Sequence, residues 1–117
     1  MSEQLRKVLF MVNVNDFLTD EQIGMLISEL SNNDLVALFL MNDEEKFDYF
    51  RDYRNVWVSN YDGYNKQFDK LAEESLYYKA SDRSKYLDYC ERMHSLFINM
   101  QHCSDFIRIY DILLDHI

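Results

Sequence analysis

Three short apolar runs punctuate the first half of the chain, and each stops on asparagine or aspartate. They are Val8–Val14 before Asn15-Asp16, Leu35–Met41 before Asn42-Asp43, and Val56-Trp57-Val58 before Asn60 and Asp62. A polar stretch with helical spacing follows each run. Such alternation is the pattern of parallel strands joined by crossover helices. It predicts an α/β fold: a small, three-stranded, mostly parallel sheet (βαβαβ) over residues 1–60, followed by three C-terminal helices over 61–117. The first run, about residues 6–14, is the most ambiguous, because Leu5, Val8, Leu9 and Val12 also share a helical face. The competing architecture is an all-α bundle in which the first two runs are helices.

The helix boundaries are written more clearly than the strands. Thr19-Asp20-Glu21-Gln22 is a capping box, in which the Thr19 hydroxyl takes the Gln22 amide and the Gln22 side chain returns to the Thr19 amide. Ile23, Leu26, Ile27 and Leu30 then make one apolar stripe, predicting a helix over about 20–31 that ends at Ser31–Asp34. Asn42, with Glu45 three residues on, caps a helix over about 43–54 whose apolar face is Phe47, Phe50 and Tyr53. Residues 55–59 read as a third strand and Asp62-Gly63 as the turn after it. Helical spacing then runs through Tyr64–Leu76, through a segment starting at Ser81 or Asp82, and through a last one capped by Ser104, with a hairpin turn near residue 101. Right-handed crossovers leave the strand orders 1-2-3 and 2-1-3. Only 2-1-3 opens a crevice, and it would set Asn13, Asn15 and Asp16 beside Asn60 and Asp62.

Composition narrows the possibilities. The 117 residues form one domain by size and bury enough surface to fold without covalent staples. There is no proline, and Gly24 and Gly63 are the two glycines. Acidic residues number 21 against 12 basic, a net charge of −9. That balance opposes direct binding of nucleic acid through its phosphates and opposes an anionic membrane surface; it favours a partner protein with a basic surface. Arg6-Lys7 before Val8–Val12 has the start of a leader's pattern, but the run is short and Asn13 interrupts it. Two cysteines, Cys90 and Cys103, are too few for a disulfide framework and suit the cytoplasm.

Candidate chemistry gathers first at the run ends. Asn13, Asn15, Asp16, Asn42, Asp43, Asn60 and Asp62 would share one sheet edge, where amides and carboxylates suit Mg²⁺ or the hydroxyls of a sugar. Helix capping explains most of them without a ligand. No glycine-rich phosphate loop and no nucleophile elbow occurs, so no nucleotide-type cofactor is expected. Cys90, His94, His102 and Cys103 have some of the spacing of zinc ligands. A hairpin turning near 101 separates the two pairs, so no metal is expected either. Nine tyrosines exceed what a small core uses, and Tyr49, Tyr61, Tyr77 and Tyr78 fall partly off the apolar stripes. Exposed tyrosine beside acid is a composition of protein-binding surfaces.

The expectation is therefore a small acidic cytoplasmic protein that works by protein–protein binding, as an inhibitor, immunity or adaptor factor of phage or mobile-element type. Its size also allows a homo-oligomer. Nothing in the chain marks it as an enzyme. Two alternatives compete: a small-ligand-binding α/β protein or enzyme using the run-end Asn and Asp residues, and an acidic mimic of nucleic acid, whose phosphate-like rows are diluted by Lys46, Arg51, Arg54, Lys66 and Lys70.

Overall fold

The computed structural model describes residues 17–116 apart from residue 31. The described residues contain four helices and no strand: α1 (Asp20–Glu29), α2 (Asn32–Leu40), α3 (Asp43–Ser75) and α4 (Arg83–Asp115). The α/β expectation is thereby corrected to an all-α fold. Residues 6–14, the first predicted strand, lie outside the described residues.

Local chemistry accounts for the two predicted strands that the described residues show as helix. Leu35–Met41 contains Leu, Ala and Met, which are strong helix formers, and its only β-branched residue is Val36. All of the run but Met41 belongs to α2, begun by the Asn32–Asp34 segment expected to end the preceding helix. Val56-Trp57-Val58 is too short to overrule the helical preference of the sequence on either side, and lies inside α3. Asp62-Gly63 is not a turn but part of the same helix. With no proline to interrupt them, α3 and α4 each extend for 33 residues. Ser104 likewise sits within α4 and caps nothing.

The caps behave as the side-chain chemistry requires. Thr19 and Gln22 form a reciprocal capping box, with bonds of 3.1 and 3.0 Å. Glu45 N–H donates to Asn42 Oδ1 at 2.9 Å, opening α3, and three acids crowd its first turn, where the helix dipole favours them. Lys85 N–H donates to Asp82 Oδ1 at 3.1 Å, opening α4. The turn between the long helices spans 76–82 and starts with Tyr78 N–H donating to the Ser75 carbonyl at 3.0 Å.

The chain divides into two compact units, one of Met1–Asn55 with Phe106–Ile117 and one of Val56–Asp105. In the first, α1, α2, the start of α3 and the end of α4 enclose a closed core. Leu18, Ile23, Leu26, Leu30, Leu38, Phe50, Phe106, Ile109, Tyr110 and Leu113 are buried there. Tyr110 stacks on Tyr53 and tilts against Phe50, with ring centres 5.9 and 6.1 Å apart. Arg54 pairs with Asp111. The second unit is a two-helix hairpin made from the rest of α3, the 76–82 turn and the start of α4. Trp57 meets the edge of His102 at 5.7 Å, and Tyr89 donates to Glu74 Oε2 at 3.2 Å.

Candidate functional site

With no sheet among the described residues, there is no sheet edge to gather the run-end polar residues. Asn13, Asn15 and Asp16 lie outside the described residues. Asn42 is the cap of α3, and Asp43 is in its first turn. Asn60 and Asp62 are exposed about five turns further along the same helix, so the two pairs do not converge.

The four singled-out tyrosines are scattered too. Tyr77 is 75 % exposed in the 76–82 turn, and Tyr61 is half-buried on α3. Tyr78 stacks on Tyr89, with centres 5.6 Å apart and planes 15° from parallel. Tyr49 belongs to the core of the first unit, 4.8 Å from Tyr53. Its hydroxyl is enclosed and makes no hydrogen bond. Burial, above all, and then the neighbouring Tyr53 and Asp34 push its acidity far below that of an ordinary phenol.

The cysteines and histidines follow one continuous helix rather than two arms of a hairpin, since the turn is at 76–82 and not near 101. Among the described residues, no group of three or more His, Cys, Asp or Glu side chains is placed to hold a metal ion. Cys103 is buried, and burial raises the pKa of its thiol, the opposite of what a reactive thiolate needs. Cys90 is half-buried beside Tyr86, and His94 is exposed.

A cleft of about 230 Å³ in the hairpin unit is lined by Gln67, Lys70, Leu71, Glu74 and Arg92. Its charged groups are already engaged. Glu74 accepts from Tyr89 and lies 4.0 Å from Lys70, while Arg92 covers the Tyr89 ring at 5.4 Å. Lys85 covers Tyr78 at 4.9 Å, which extends the network to the turn. Desolvation and the bond to Glu74 raise the Tyr89 pKa, so its phenol stays a donor. The cleft is smaller than the usual ligand pocket, and the Glu74–Tyr89 bond beside it joins the two arms of the hairpin.

The surface with the clearest capacity for recognition is the start of α3. Phe47 is 41 % exposed, and Asp43, Glu44, Asp48 and Arg51 are its neighbours at three, four or one residue along the helix. Arg51 is tied to Asp48 and Asp52 at 3.3 and 3.6 Å, leaving the face acidic. Leu40, at the end of α2, is 76 % exposed. The helical stripe drawn from sequence put Phe47 inward with Phe50 and Tyr53; instead Lys46 is buried, 3 % exposed, while Phe47 is turned toward solvent. Phe47 and Lys46 are adjacent and so point about 100° apart around the helix, and only one of them can face the core. The one available signal was the ring of acids around Phe47, which suits a solvent-facing position. No family model, curated protein or solved structure matches the chain.

Proposed function

We propose that the chain acts by binding another protein, with the acidic opening of α3 as the contact surface and a basic, partly apolar surface as its counterpart. The observation that carries this reading is Phe47, a half-exposed aromatic set among Asp43, Glu44 and Asp48. An aromatic anchor in a charged rim is the arrangement from which interface hot spots are made. The local charge supports it: residues 43–52 carry Asp43, Glu44, Glu45, Asp48 and Asp52 against Arg51 and the buried Lys46. Long-range attraction would speed encounter with a basic partner and discourage nucleic acid.

An inhibitor, immunity or adaptor role fits such a chain, because blocking or bridging needs a surface and no catalytic group. The two unpaired cysteines fit work in the reducing cytoplasm. Affinity capture from lysate at low salt tests the reading. Phe47→Ala is expected to weaken capture of the partner about tenfold or more, as loss of an anchor does. Reversing Asp43, Glu44 and Asp48 to Lys is expected to abolish capture, and added salt to weaken it. Recovery of the same protein by the charge-reversed variant would refute the proposed surface.

A further inference from the structure

We draw no further inference here: the strongest candidate, the half-buried apolar flank of the hairpin unit formed on α4 by Tyr86, Cys90, Met93 and the exposed Phe97, carries none because nothing in the structure shows what covers it.

Discussion

Tyr49 and Tyr110 share one aromatic cluster yet are expected to answer the same substitution in opposite directions. Tyr110 is fully buried and donates to Glu29 Oε2 at 3.1 Å. Tyr110→Phe removes a bond to a charged group; Glu29 keeps other partners, so the cost should be about 1 kcal/mol in urea denaturation. The enclosed Tyr49 hydroxyl makes no hydrogen bond, so Tyr49→Phe is expected to be neutral or to stabilise by up to about 1 kcal/mol. Equal losses in the two variants would contradict this assignment. Alkaline pH gives a second reading of the cluster. Burial and the Glu29 carboxylate raise the Tyr110 pKa well above that of a free phenol. The unfolded chain releases that proton near pH 10 while the folded chain keeps it. Stability is therefore flat with respect to this group below about pH 10 and falls above it, by about 1.4 kcal/mol per pH unit. Denaturation midpoints followed from pH 9 to 11 should fall less steeply for Tyr110→Phe than for the wild type, and parallel curves would exclude the effect.

The long helices are tested at the element scale by a position whose two readings have opposite signs. Gly63 lies inside α3, and a methyl group added there would meet open space. Gly63→Ala is therefore expected to stabilise by about 0.5–1 kcal/mol. A left-handed turn at Asp62-Gly63 would make the same change destabilising. At the start of the helix, Asn42→Ala removes the acceptor for the Glu45 amide and should cost about 1 kcal/mol. These caps were legible in the sequence because capping is a local contract between residues three apart; Thr19, Asn42 and Asp82 all honour it. The strands were misread because a seven-residue apolar run has no period to show, and length alone does not separate a buried strand from a buried helix. The absence of proline was the stronger signal for α3 and α4. It removes the usual punctuation, and Val56-Trp57-Val58 passes into the helix built by its neighbours.

At the scale of the whole molecule, the proposed function rests on charge and exposed apolar surface rather than on a cluster of reactive groups. No helix among the described residues is long and apolar enough to cross a membrane. Tyr77 and Tyr78, picked out as contact residues, fall at the hairpin turn, whereas Phe47 was legible only as a member of an apolar stripe. Its outward turn depends on Lys46 taking the inner position, and that choice is made by packing rather than by local spacing. The most direct measurement is quantitative capture of the partner by Phe47→Ala protein at low salt. The expected result is an affinity at least tenfold weaker with the helical circular dichroism of the wild type retained; undiminished capture would contradict the assignment of function to the acidic face of α3.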